Sequence, residues 1–257
     1  MAWKKFPYPE KAYAYPGTAL QKNWARLHAG DREPYPADAK VQDAWRSYHA
    51  GDFGKAVDSG LACGLAGYNA ANKAAAIYAN YLETDEGRKC SLLMDVARRC
   101  EELQEQTPGN ANAWYLHAYA LGRYSQSISV VKALAQGLGG KIKHSLTQAL
   151  EIEPQHADAQ IALGAYHAEV IDKVGALVGG LTYGAKKSSG NELLEAALKL
   201  NPDSAIARIE YANALVMMFG KAKMKDAERL YQEAAEFAAM DAMERLDVEQ
   251  AKAELAD

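Results

Sequence analysis

The sequence predicts an all-α protein, a right-handed helical repeat array with elongated central repeats. Three observations predict it. Five of the 8 prolines lie in the first 36 residues, while the other three, Pro108, Pro154 and Pro202, recur at nearly constant spacing. Each of these three closes an amphipathic stretch and opens an alanine-rich one, from Ala111, Ala157 and Ala205. Alanine, which loses no side-chain entropy in a helix, dominates the apolar set, and Val, Ile and Thr never cluster as they would in strands.

Each segment supports that reading in turn. Residues Met1 to about Tyr15 are rich in Tyr and Pro, so the chain starts as an extended arm. Its tyrosines either pack onto the repeats or form a strap over a groove or a second subunit. A local duplication follows. Leu20 to Asp31 matches Val41 to Asp52, with Gln, Trp, His, Ala, Gly and Asp at the same offsets. Each copy reads as a short helix with Trp24 or Trp45 buried and His28 or His49 near its C-terminus. Gly30 and Gly51 are expected to supply the positive-φ stop. Asn69 to Leu82 reads as another helix. Asp85 is placed to cap the next, which runs to about Gln106 with Leu92, Leu93, Val96, Cys100 and Leu103 on one face. Two long central repeats follow, then a pair at normal spacing, Ala205 to Phe219 and Lys225 to about Ala239. Asp241 to Leu255 is an acidic helix expected to solvate the open end of the array.

Composition narrows function mostly by exclusion. The 257 residues are 49% apolar and 24% charged, with a net charge of −4, so the whole chain carries no polyanion-seeking field and no nucleic-acid partner is expected. Cys63, Cys90 and Cys100 are odd in number and widely spaced, which fits buried thiols and neither disulfides nor zinc. No apolar leader follows Met1-Ala2-Trp3, and the uncharged run Val174 to Ala185 is too short to span a bilayer. A cytoplasmic protein with no transmembrane segment, no metal and no cofactor is expected.

The residues Trp45, Tyr48, Gly51, Asp52, Phe53 and Ala56 resemble the tetratricopeptide-repeat family at its first helix, turn and second helix. Trp114, Ala118 and Leu121, then Leu146, Ala149, Leu150 and Pro154, resemble the next repeat. Leu163, Gly164, Leu194, Ala197, Leu198 and Pro202 resemble the one after, and Ala227, Tyr231 and Ala234 are in register in the last. The central period exceeds the family's ~34 residues. The excess lies between the two helices of each pair, at about residues 123–140 and 170–190. An elongated first helix followed by a glycine turn is the expected geometry. The division is then an arm and capping helix over 1–37, repeats over 38–240 and an acidic closing helix over 241–257. Insertion-bearing repeats around a glycine-rich hairpin also resemble, more weakly, the T component of tripartite (TRAP-type) transporters and the related regulators of microtubule dynamics. That resemblance implies an internal ligand cavity and a role near solute uptake.

The insertions are what a plain array does not need. Neither Glu105 to Glu151 nor Asp172 to Glu192 contains an acid between its ends. The first span carries Arg123, Lys132, Gly139, Gly140, Lys141, Lys143 and His144. The second carries Gly179, Gly180, Tyr183, Lys186 and Lys187. This segregation suggests a local positive field, and Lys141, Lys143 and His144 are expected in a first helical turn behind the glycines. Glycines that only turn the chain are the competing reading. Gly179 to Ser188 mimics a phosphate loop, but Ala185 separates Gly184 from Lys186 and no strand precedes. His167 lies near Glu169 and Asp172 without metal-protease spacing, and a hydrogen-bonded histidine inside the array is the better reading. The expected function is therefore a non-catalytic scaffold taking a protein or peptide partner on its concave face or basic insertions. The alternative is binding of an anionic or amphipathic small molecule.

Overall fold

A computed structural model describes residues 3–256; Met1, Ala2 and Asp257, at the ends of the arm and the closing segment, lie outside it. Among the described residues every regular element is helical. The chain divides into two compact units.

Among the described residues, the first unit comprises 3–28, 32–153 and 240–243. It holds α1 (Ala19–Leu27), α2 (Ala39–His49), α3 (Phe53–Ala62), α4 (Tyr68–Tyr81), α5 (Glu86–Gln106), α6 (Ala111–Gln126), α7 (Val130–Ala135) and α8 (Leu138–Ile152). From α2 to α6 each helix packs on the next, and α6 then packs on α8. Small residues permit the approach. The carbonyl oxygen of Gly67, just ahead of α4, lies 2.8 Å from where a Cβ on Gly60 of α3 would stand. The arm lies on this stack: Phe6, Tyr13 and Tyr15 are buried, and Trp3 meets Tyr78 edge-on at 4.5 Å.

The duplicated helices meet in an aromatic cluster. Trp45 sits among Trp24, His28, Tyr48 and His49, at 4.7–6.0 Å between ring centroids. His28 stacks on Trp24 at 3.9 Å. His49 Nδ1 lies 2.8 Å from Asp241 Oδ2, with both side chains buried. The histidines are therefore packed ring for ring. The glycine stop differs between the copies. Gly51 takes φ +82°, but in the first copy Arg32 enters the left-handed region, at φ +52°, in place of Gly30.

Among the described residues, the second unit comprises 29–31, 154–239 and 244–256. It holds α9 (Ala157–Val174), α10 (Ala176–Tyr183), α11 (Lys187–Leu200), α12 (Ala205–Phe219) and α13 (Met224–Ala235), with most of α14 (Ala242–Ala256). Here α9 packs on α10, α11 and α12, and α12 on α13. Gly164 and Gly190 let α9 and α11 cross closely; a Cβ on Gly164 would stand 2.6 Å from Leu194 Cγ. Val248 and Ala251 of α14 join Ala205, Ile209 and Ala234 in one apolar cluster.

The prolines mark helix starts with regularity. Two residues after each stands the cap of the next helix. Asn110, His156 and Ser204 accept from the N–H groups of Ala113, Ala159 and Ala207 at 3.1–3.2 Å. His156 caps through a ring nitrogen while fully buried. Asp85 caps α5 by accepting from Arg88 N–H at 2.7 Å.

Two expectations need correction. The insertions are not taken up mainly by a longer first helix. α6 has 16 residues and α9 has 18, against 15 for α12, so α9 alone gains about a turn, and the rest of the excess forms the separate short helices α7 and α10. Gly137 at φ +65° and Gly175 at φ +82° break the chain direction at those points. The acids of the closing helix are not all a solvated face either. Asp241, Glu244 and Asp247 are buried.

Candidate interaction surface

In the first unit, Ser129 caps α7 by accepting from Lys132 N–H at 3.3 Å. Gly137, left-handed, returns the chain into α8, and buried Leu138 anchors the return. The turn glycine is thus Gly137, and Gly139 and Gly140 are helical, inside the first turn of α8. Because α8 starts at Leu138, only Lys141 lies near its first turn, and Lys143 and His144 fall in the second, not in the first as expected; Lys141 and His144 are exposed, and Lys143 is half-buried. The His144 ring meets Trp114 edge-on at 5.7 Å. Arg123 lies over the Tyr119 ring at 5.2 Å and donates to Gln126 Oε1 at 3.2 Å. The α7 side chains Val130, Val131 and Leu134 are 48%, 77% and 50% exposed.

His117 lies behind this surface. Ser145 Oγ is 2.8 Å from its Nδ1. Burial is the largest influence on it and holds it below the ordinary imidazole value. The Glu101 carboxylate, 3.4 Å from Nε2, opposes that shift, while Lys141 and His144 reinforce it. The unfolded ring titrates near ~6.5 and the folded ring lower. Above ~6.5 both states carry a neutral ring. As pH falls below that value the unfolded chain takes up the proton first, so stability declines until the folded value is passed. Urea unfolding at successive pH values should show this loss for the wild type and a flatter profile for His117→Gln.

In the second unit, the turns of the insertion are Gly175 and Gly184, at φ +82° and +66°. Gly179 and Gly180 lie inside α10. Gly179 is buried, and a Cβ there would stand 3.1 Å from Val170 Cγ1, so glycine seats α10 directly on α9. Ala185 N–H then donates to the Gly179 carbonyl at 3.0 Å. His167 is buried, and its Nδ1 accepts from Lys186 N–H at 3.2 Å, so it ties down the end of the insertion. Tyr183 is half-buried near Tyr166, whose hydroxyl is pushed up to about 12 by burial first and Tyr183 second. Lys186 and Lys187 are exposed, with Lys187 Nζ 5.3 Å over the Phe219 ring. Leu177, Val178 and Leu181 are 76%, 50% and 82% exposed.

The anticipated residues therefore form two sets. Arg123, Lys132, Gly139, Gly140, Lys141, Lys143 and His144 belong to the first unit. His167, Gly179, Gly180, Tyr183, Lys186 and Lys187 belong to the second. Among the described residues, Lys132, Lys141, Lys186 and Lys187 form no ion pair with a carboxylate. The exposed aliphatic side chains between them were missed by reading charge alone. A signal for them existed: α10 has no charged residue, so it is apolar all round and yet too short to bury itself.

No family model and no curated protein matches the chain. A solved structure does, that of a thermophilic TPR protein from Thermus thermophilus. It is 15% identical, the match covers 83% of this chain and 97% of that one, and the TM-score is 0.58. The fold is tetratricopeptide-repeat-like. Within this TPR-like frame, α7 and α10 are additions between the helices of a pair, and they carry most of the uncovered aliphatic surface described above. No helix among the described residues is long and apolar enough to cross a membrane.

Proposed function

We propose that this TPR-like chain is a non-catalytic interaction protein that takes a protein or peptide partner on the α6–α8 hairpin of its first unit. Polar side chains of α4 and α6 are already engaged by the unit's own chain. Asn69 and Asn112 both donate to the Glu33 carboxylate, at 2.8 and 2.7 Å, and Asn69, Asn72, Lys73 and Asn112 are buried. The hairpin carries the most exposed large apolar side chains of the first unit, Val130, Val131 and Leu134. It joins residue types that dominate binding hot spots, Tyr119, Arg123 and Trp114, to an apolar patch at Val130, Val131 and Leu134. The observation that carries the reading is this patch, lying in a span with no acid between Glu105 and Glu151. The fitting partner is an acidic segment with apolar anchors.

A library of acidic amphipathic peptides, screened against the full chain, tests it. A selected peptide should bind Val131→Asp with Arg123→Glu at least about ten-fold more weakly than the wild type. Equal binding by both proteins, or no peptide selected at low salt, would remove the reading.

A further inference from the structure

A second surface, in the other unit, has a different chemistry. It has two parts. One is α10, which rests on α9 through Gly179 and leaves Leu177, Val178 and Leu181 uncovered. The other flanks the connection between α12 and α13, where Met217 and Phe219 at the end of α12 and Met224 at the start of α13 are exposed. The parts adjoin. Ala185 is bonded to Gly179, Lys186 and Lys187 follow it, and Lys187 lies over Phe219 at 5.3 Å. No acid occurs between Glu210 and Asp226, just as none occurs between Asp172 and Glu192. Glu169 pairs with Lys173 at 3.4 Å and Asp226 with Lys223 at 2.7 Å, while Asp172 is exposed before the insertion. Among the described residues, Lys186, Lys187 and Lys221 form no ion pair with a carboxylate, so they carry the net field of the patch.

We propose that this surface docks on a lipid bilayer bearing anionic headgroups. Leu177, Val178 and Leu181 enter the acyl boundary with Phe219 and the two methionines, and the lysines meet the phosphates. Apolar side chains sunk a few ångströms, flanked by lysines, are the interfacial mode of membrane binding. α10, with 8 residues, can lie in the interface but cannot span. The cations of the patch are compact lysine charges on flexible stems, which meet phosphates without a fixed pairing geometry. A projecting aliphatic ridge needs no shaped groove in a bilayer, whereas a protein partner would have to supply one. The inference goes beyond the peptide site of the first unit and does not depend on it.

Cosedimentation of the full chain with vesicles tests it, using phosphatidylcholine alone against phosphatidylcholine with about 30% phosphatidylserine. Binding to the anionic vesicles should exceed binding to the neutral ones and fall as salt rises. Leu177→Ser with Leu181→Ser should weaken it by about ten-fold or more. Lys187→Glu with Lys221→Glu should weaken it by at least about ten-fold, and it decides the matter if the leucine variant fails to fold by circular dichroism. Val131→Asp with Leu134→Asp, on the other unit, should leave vesicle binding unchanged. The proposal is overturned by no binding to anionic vesicles, by equal binding of the wild type and the lysine variant, or by loss on the Val131 and Leu134 changes. It is likewise overturned if vesicles are ignored while the Leu177 and Leu181 changes abolish capture of an acidic peptide, which would make the surface a protein dock.

Discussion

Trp45→Ala is expected to lower the stability of the first unit by about 3–5 kcal/mol. The indole is 1% exposed and touches four rings, Trp24, His28, Tyr48 and His49. Removing it deletes the transfer energy of a large side chain and leaves a cavity walled by rings that cannot collapse together, because each has a second constraint. His49 is held by Asp241 at 2.8 Å, and Trp24 Nε1 donates to the Glu33 carbonyl at 2.7 Å. The test is convenient, since all 4 tryptophans, at positions 3, 24, 45 and 114, belong to the first unit. Tryptophan fluorescence during urea unfolding therefore reports that unit, whatever the other does. A midpoint unchanged from wild type would show that the ring cluster contributes little. Trp45→Phe should retain more than half of the lost stability, because it keeps an aromatic edge against His28.

Gly67→Ala is expected to cost about 3 kcal/mol or more, a large effect for one added methyl group. The new Cβ would overlap the Gly60 carbonyl oxygen, which belongs to the backbone of α3 and has no rotamer to change. The reciprocal approach is nearly as tight, with the Gly67 carbonyl oxygen 2.8 Å from a Cβ on Gly60. Relief requires α3 and α4 to separate, which uncovers Ala71 and its buried neighbours Ala74 and Ala75. Gly109→Ala is the control: nothing lies within 4 Å of its Cβ position, and it should cost less than about 0.5 kcal/mol. Similar midpoints for the two variants would contradict the close crossing of α3 and α4.

Neither glycine stands out in the sequence, and the reason is instructive. A glycine that turns the chain and a glycine that admits a neighbour look alike until the neighbour is known. The glycines of the insertions read alike in the sequence, as turns or as an approach for a ligand, yet Gly139, Gly140, Gly179 and Gly180 are helical, and the turns fall to Gly137, Gly175 and Gly184. His167 belongs with them. Its ring was legible as a hydrogen-bonded interior histidine, but its partner, the Lys186 N–H, is set by how α10 folds back. The charged half of the candidate surface was legible because an acid-free span is a property of composition. The apolar half was not, because Leu181 at 82% exposed and Leu194 at 1% are the same residue type in adjacent helices.

What the amino acids determine unaided is local. Helix starts at Ala111, Ala157 and Ala205 follow from a proline and a capping side chain two residues later, and those interactions span only four residues. Helical character and the paired register follow from alanine content and the spacing of large and small side chains, which also act locally. Tertiary packing alone decided which surfaces stay uncovered. Asp241, Glu244 and Asp247 are acidic and buried, whereas Leu177 and Leu181 are apolar and open to water. Burial depends on which helix lies opposite, and that is fixed by contacts between residues far apart in the chain.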